Sequence, residues 1–173
     1  TGMSNLQEIK KAIQILLKSG VKKNYISILH CNTQYPADSS KLNLMSIKYL
    51  EDKLRLRVGY SDHTNGYEAS LIALGFGATV FEKHFTLNKG AKGPDHNASL
   101  SPRELIKYVN KLKLFIDNEL QILNSRSCPR REPLYTEYII IGNTVLMAEP
   151  LRDSSDVTLK FLEDLAIKLI EKN

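Results

Sequence analysis

Apolar residues recur along this chain at two spacings, and the spacing switches repeatedly. In "SNLQEIKKAIQILLKSG" (4–20), Ile9, Ile13, Leu16 and Leu17 form one helical stripe, Ser4 is placed to cap it with Gln7 three residues on, and Gly20 ends it. "YISILHCN" (25–32) reads as a buried strand, and "LNLMSIKYLEDKL" (42–54) as an amphipathic helix with Leu44, Ile47 and Leu50 along one side. "LRVGYSD" (56–62) is the next strand, "YEASLIALGFG" (67–77) a short helix closed by Gly75 and Gly77, and "ATVFEKHF" (78–85) a third strand. "SPRELIKYVNKLKLFIDNELQIL" (101–123) starts a helix with Ser101 as cap, Pro102 in its first turn and Glu104 completing a capping box.

Helix and strand therefore alternate, with strands apolar on both faces. That pattern predicts an α/β fold built of parallel βα units, as in a β/α barrel or a doubly wound sheet. No Gly-x-Gly-x-x-Gly follows any strand, which disfavours dinucleotide binding. The character changes after Leu123: residues 124–137 read as a linker, and "YIIIGNTVLMAEPL" (138–151) as a hairpin turning at Gly142 and Asn143. Asp153 or Ser154 is placed to cap a last helix through Ile170, which makes residues 138–173 a small α+β extension.

At 173 residues, 42% hydrophobic and 25% charged, the chain is long enough for one sizeable core, residues 1–123. No run of about 18 apolar residues is present to span a bilayer. The opening "TGMSNLQEIKK" lacks the apolar core of a signal peptide, so the expected location is the cytoplasm, away from membranes. Cys31 and Cys128 form neither a disulfide framework nor a CxxC pair. The net charge of +5 is spread along helical faces without an arginine-rich arm or stacking aromatics. A solvated surface that steers small anions is expected, and nucleic-acid binding is not.

Chemistry gathers at the strand ends. In parallel βα folds ligands bind at the carboxyl ends of strands, where His63 and His84 both fall. Alternation puts Ser61 on the face of His63 and Glu82 on that of His84. If the strands are neighbours, about 4.8 Å apart, two imidazoles can converge on one ion. Against this stands the plainer reading of strand-end histidines as packing or hydrogen-bonding residues, with Glu82 and Lys83 as a buried ion pair. Asp62 is a possible partner that fixes an imidazole tautomer, although alternation can turn it away. The loop "TLNKGAKGPDHNASL" (86–100) brings Asp95 within reach of a substrate hydroxyl and Lys89 or Lys92 toward an anion, while Asn32, Thr33 and Tyr35 suit a phosphate or a sugar.

Taken in order and spacing, "TGMSNLQEI", "LHCNTQYP", "VGYSDHTNG", "FEKHFTL" and "KGPDHNASLSP" resemble the N-acetylneuraminate (sialic acid) synthases and the bacterial synthases of legionaminic and pseudaminic acid, over residues 1 to 123. "GPDHNASL" is closer to the neuraminic and legionaminic branch. The resemblance implies a (β/α)8 barrel that condenses phosphoenolpyruvate with an open-chain N-acyl hexosamine such as N-acetylmannosamine, releasing phosphate and forming a nine-carbon 2-keto sugar acid. It implies that His63 and His84 ligate Mn²⁺ or Mg²⁺, that Ser61 and Thr33 contact phosphoenolpyruvate, that Tyr35 and Asp95 lie on the sugar side, and that Gly2 and Met3 sit in the preceding strand-end loop. Ser61 and Asp95 are the expected catalytic groups, with Asn32 beside Thr33 at the substrate.

The chain departs from that family in two ways. Family members carry about half a barrel ahead of the "TGM" segment, so a partial barrel of the last three strands or so is expected here, and three strands cannot close one. Members also end in a small antifreeze-like domain whose pattern residues 124–173 do not show. The expectation is a C-terminal portion of such a synthase, inactive or weak by itself, completed by self-association or by an N-terminal half-barrel chain. The alternatives are a non-catalytic remnant serving as an interaction module, and another metal-dependent barrel hydrolase or aldolase, for which Lys83 is the one basic candidate.

Overall fold

Helix and strand alternate as the pattern predicts: α1 (Leu6–Lys18), β1 (Ser27–Cys31), α2 (Ser46–Leu54), β2 (Arg57–Asp62), α3 (Glu68–Gly75), β3 (Val80–His84) and α4 (Pro102–Ser125), followed by β4 (Tyr138–Ile141) and β5 (Thr144–Ala148). These come from a computed structural model that describes residues 1–125, 138–141 and 144–148, with side chains through residue 118. The chain divides into two compact units, Thr1–Glu82 and Lys83–Asn173.

In the first unit β2 lies between β1 and β3, the three forming a parallel sheet. The β1/β2 register runs from Ser27 opposite Arg57 to Cys31 opposite Ser61. Parallel neighbours need a crossover, and α2 and α3 supply them. Ile47 and Leu50 of α2, Val58 and Tyr60 of β2, and Ala73 and Leu74 of α3 are buried. All of β2 beyond Arg57 is buried, as a strand covered on both faces must be.

Two details of α1 differ from expectation. The cap is Asn5, not Ser4: Asn5 Oδ1 accepts the N–H groups of Gln7 and Glu8, and Glu8 returns a carboxylate oxygen to the Asn5 N–H. The Ser4 N–H is committed to the Thr1 carbonyl in the preceding turn, so the box forms one residue later, with a glutamate as its far member. The buried stripe also stops early. Ile9 and Ile13 are buried, whereas Leu16 and Leu17, in the helix's last turn, remain about 40% exposed.

The second unit begins in the last residues of β3. Phe85 bridges Leu100 in parallel, closing the intervening loop, and Leu105, Tyr108, Val109 and Leu112 form the buried stripe of α4. The expected cap holds: Ser101 Oγ accepts the Glu104 N–H at 3.4 Å, and Glu104 Oε2 accepts the Ser101 N–H at 2.7 Å. The strands of the expected hairpin form as an antiparallel pair, Ile141 opposite Thr144. Its turn at 142–143, the linker beyond Ser125 and the final helix lie outside the described residues.

The sheet has little tolerance at Gly59. A Cβ there would stand 2.2 Å from the Val80 carbonyl oxygen, 2.6 Å from Val80 Cβ and 2.6 Å from Leu29 Cδ2. Gly59→Ala is expected to destabilise the chain by about 1–3 kcal/mol, the usual range for overpacking a filled core, as a lowered urea midpoint followed by circular dichroism. A midpoint equal to that of the wild type would show that the strands can separate at no cost.

Candidate functional site at the strand ends

Alternation along three parallel strands stacks side chains in layers. Leu29, Gly59 and Val80 make one layer in the first unit, the missing Cβ of Gly59 leaving its space to the other two. Two residues further along each strand stand Cys31, Ser61 and Glu82, where the layer turns from apolar to reactive. Ser61 is buried, and its hydroxyl donates to Glu82 Oε1 at 2.5 Å. His63, just past β2, places Nε2 3.4 Å from Ser61 Oγ, and Cys31 Sγ stands 3.9 Å from its Nδ1 and 3.8 Å from its Nε2. Burial alone would push the Cys31 thiol up; hydrogen bonds with His63 and Ser61, aided by nearby positive charge, outweigh that and hold it below its ordinary value.

The loop after β1 packs on the same imidazole. The Tyr35 ring meets the His63 ring nearly at right angles with centroids 5.1 Å apart, and the Ala37 N–H donates to the His63 carbonyl at 2.7 Å. The Tyr35-Pro36 peptide is cis. Asn32 organises this loop: its Oδ1 accepts the Gln34 N–H at 2.9 Å and its Nδ2 donates to the Lys41 carbonyl at 3.3 Å. Thr33 is exposed at the tip, beside Gly2, whose φ of 44° suits glycine and where a Cβ would come within 3.2 Å of Thr33 Cγ2.

Asp62 points into the protein, away from solvent. It is fully buried and accepts from the Thr64 N–H at 2.8 Å, Thr64 Oγ1 at 2.7 Å and Ser70 Oγ at 2.5 Å, tying the turn after β2 to α3. Tyr60, on the same face, keeps a buried hydroxyl without a hydrogen-bond partner among the described residues, and burial followed by the charges of Asp62 and Cys31 pushes its phenol up.

In the second unit His84 ends β3, and its carbonyl accepts the Leu100 N–H at 2.9 Å while the Thr86 N–H donates to the Leu100 carbonyl. This short ladder brings the loop back over the strand end, and Asp95 Oδ2 lies 3.8 Å from His84 Nδ1. The carboxylate beside a strand-end imidazole is thus Asp95, the role the sequence had suggested for Asp62. His96 Nδ1 is 2.7 Å from Thr86 Oγ1, and the Asp95 carbonyl accepts both the N–H and the hydroxyl of Ser99. Lys83 is buried, its ammonium 5.8 Å from the centroid of the Tyr108 ring, so it lies in the packing of this unit rather than with His84.

A NeuB family model matches residues 1–118. The chain belongs to the NeuB family. An N,N'-diacetyllegionaminic acid synthase of Campylobacter jejuni is 53% identical over 105 residues, 61% of this chain and 31% of that protein. A synthase of the same name from Legionella pneumophila is 42% identical over 115 residues, 65% of this chain and 32% of that one. Among solved structures, the N-acetylneuraminic acid (sialic acid) synthetase of Leptospira borgpetersenii, in complex with citrate, matches with a TM-score of 0.62 at 30% identity, over 76% of this chain and 43% of that chain. This NeuB chain spans about a third of the length of the curated relatives it matches.

Two members of the NeuB strand-end cluster escaped the sequence reading. Cys31 passed as an ordinary strand residue and Glu82 as half of an ion pair. The signal was in the register, since Cys31 faces Ser61 across β1 and β2 and Glu82 falls at the matching step of β3. Among the described residues no helix is long and apolar enough to cross a membrane, and no group of three or more His, Cys, Asp or Glu side chains could hold a metal ion.

The 86–100 loop of this NeuB chain is clamped to α4 by Lys89, whose ammonium lies 2.7 Å from Glu104 Oε2. Partial burial would raise the Glu104 carboxyl, but Lys89 and the Ser101 N–H and hydroxyl overcome this and lower it to about 2 from an ordinary 4.5. A depressed folded-state value means that the clamp's contribution is complete above about pH 4.5 and is lost as pH falls toward 2. Both side chains are well exposed, which keeps that contribution below ~1 kcal/mol. Thermal melts of wild type and Glu104→Gln should differ at pH 6 and converge as the pH approaches 2; a gap independent of pH would contradict the assignment.

Proposed function

We propose that this chain forms the metal-binding part of the active site of a 2-keto sugar acid synthase, its βα units being three of the eight in a (β/α)8 barrel. The reaction is condensation of phosphoenolpyruvate with an N-acyl hexosamine, of the legionaminic or neuraminic type. The observation that carries this reading is the family match over residues 1–118, which spans both strand-end histidines and the polar loops next to them. Support for the branch comes from the identity with two legionaminic acid synthases.

His63 and His84 are the assigned ligands of a divalent ion. With two protein ligands, such an ion would keep positions for water and substrate oxygen, as a Lewis-acid site requires. Nitrogen donors favour Mn²⁺ over Mg²⁺, which prefers an all-oxygen shell. When bound, the ion would polarise the sugar aldehyde. Asp95, close to His84 Nδ1 and half-exposed, is assigned to orient that ring and to hold a substrate hydroxyl. Ser61 and Thr33 are assigned to phosphoenolpyruvate and Tyr35 to the sugar. Asn32 retains one amide proton and one oxygen lone pair for the same ligands beyond those that hold its loop.

Three parallel strands do not close a barrel, so the proposal includes a need for strands beyond these three. Calorimetric titration with Mn²⁺ should show binding by the wild type that is lost in His63→Ala and in His84→Ala. No binding by the wild type would favour a non-catalytic module and refute the metal assignment. In a second assay the 173-residue chain, mixed with Mn²⁺, phosphoenolpyruvate and N-acetylmannosamine, should form no keto acid; robust turnover would refute the need for further strands.

A further inference from the structure

The turn that leads from β2 to α3 contains the dipeptide Asn65-Gly66, which the strand-end site leaves unused. Asn65 is exposed, and among the described residues neither its side chain nor the Gly66 N–H takes part in a hydrogen bond. The flanks, by contrast, are fixed. Asp62 accepts from the Thr64 N–H and hydroxyl on one side and from Ser70 Oγ on the other, and Glu68 Oε2 accepts the Tyr67 N–H at 3.0 Å. Gly66 has a φ of 89°, and a Cβ there would stand 2.5 Å from Glu68 Oε2. The position thus holds the residue whose backbone nitrogen is least shielded by a side chain.

We propose that Asn65 is a site of spontaneous covalent modification, closing to a succinimide with Gly66 and opening to isoaspartate. The Gly66 nitrogen attacks Cγ of Asn65, the N–Cγ bond forms, and Nδ2 leaves as ammonia with the proton that the nitrogen held. Water then opens the ring. Cleavage of N–Cγ yields aspartate, whereas cleavage between that nitrogen and the main-chain carbonyl carbon of Asn65 leaves the chain running through Cγ, one methylene longer, with the main-chain carboxylate freed. The added methylene enters a segment whose two ends, Thr64 and Ser70, are held by the one buried carboxylate of Asp62, so the lengthening strains those ties. The reaction needs neither metal nor substrate and stands apart from the function proposed above.

The test is incubation of the 173-residue chain in warm, mildly alkaline buffer, followed by mass spectrometry of its tryptic peptides. Cleavage after Arg57 and Lys83 releases residues 58–83, in which Asn65 is the one amide side chain. That peptide should gain one mass unit with time, and its product should accept a methyl group from S-adenosylmethionine through a protein isoaspartyl methyltransferase. Asn65→Gln, which would have to close a six-membered ring, should do neither. The thermal midpoint of the aged wild type should fall by about 2–4 °C, the shift that a single strained backbone position produces in a chain of this length, while that of the aged variant holds. A peptide that stays unchanged in the folded chain but gains the mass unit in urea would show that the fold protects Asn65 and overturns the proposal, as does no change in either state. Isomerisation with an unmoved midpoint upholds the site and overturns the strain assigned to the closed turn.

Discussion

The strand ends depend on a side chain that is absent. Gly59 lets the Val80 backbone and the Leu29 side chain occupy the volume a Cβ would need, so β2 can lie between its two neighbours at their observed spacing. Because strand side chains alternate, fixing that layer also fixes the next one, in which Cys31, Ser61 and Glu82 meet. A one-residue slip of β2 would turn Ser61 away and bring Asp62 and Tyr60, now fully buried on the opposite face, toward the reactive side. The chemistry is therefore a consequence of the packing one layer below it.

Most of the architecture was legible because the periodicities are unambiguous. Strands at "YISILHCN", "LRVGYSD" and "ATVFEKHF" all formed, shortened at their ends by one to three residues, and the box opening α4 formed as read. The misreading of α1 has a local cause. Ser4 and Asn5 are both good caps, with Gln7 and Glu8 three residues beyond each, so spacing alone does not choose between them. The turn from Thr1 decides the matter by claiming the Ser4 N–H, and the box forms at the residue whose N–H is still unclaimed.

The candidate site was less legible, for a reason that lies in how sheets are built. Sequence pattern shows which residues share a face within one strand, but not which rung of one strand faces which rung of the next. His63 and His84 stood out because they end apolar runs. Cys31 and Glu82 acquire significance only through register, which brings the first beside His63 and the second onto Ser61. The same limitation exchanged Asp62 for Asp95. Adjacent numbering made Asp62 look like a partner for an imidazole, yet alternation commits it to Thr64 and Ser70, while Asp95, eleven positions after His84, returns to that ring through the fold of the loop.

How that return is achieved explains why a glycine-containing loop can carry a positioned carboxylate. The loop leaves β3 at Phe85 and comes back at Leu100, where two backbone hydrogen bonds rejoin it to the strand end, so its closure is enforced by β-type pairing rather than by packing at its tip. Asp95 then lies in a segment tied at both sides: its own carbonyl holds Ser99, and its neighbour His96 reaches Thr86. Lys89 anchors the outer part of the loop to the first turn of α4 through Glu104, the residue that also completes the helix cap. One glutamate thus couples the start of α4 to the loop in front of it, and a carboxylate that looks solvent-exposed and mobile by composition is held beside His84 by a chain of short-range contacts.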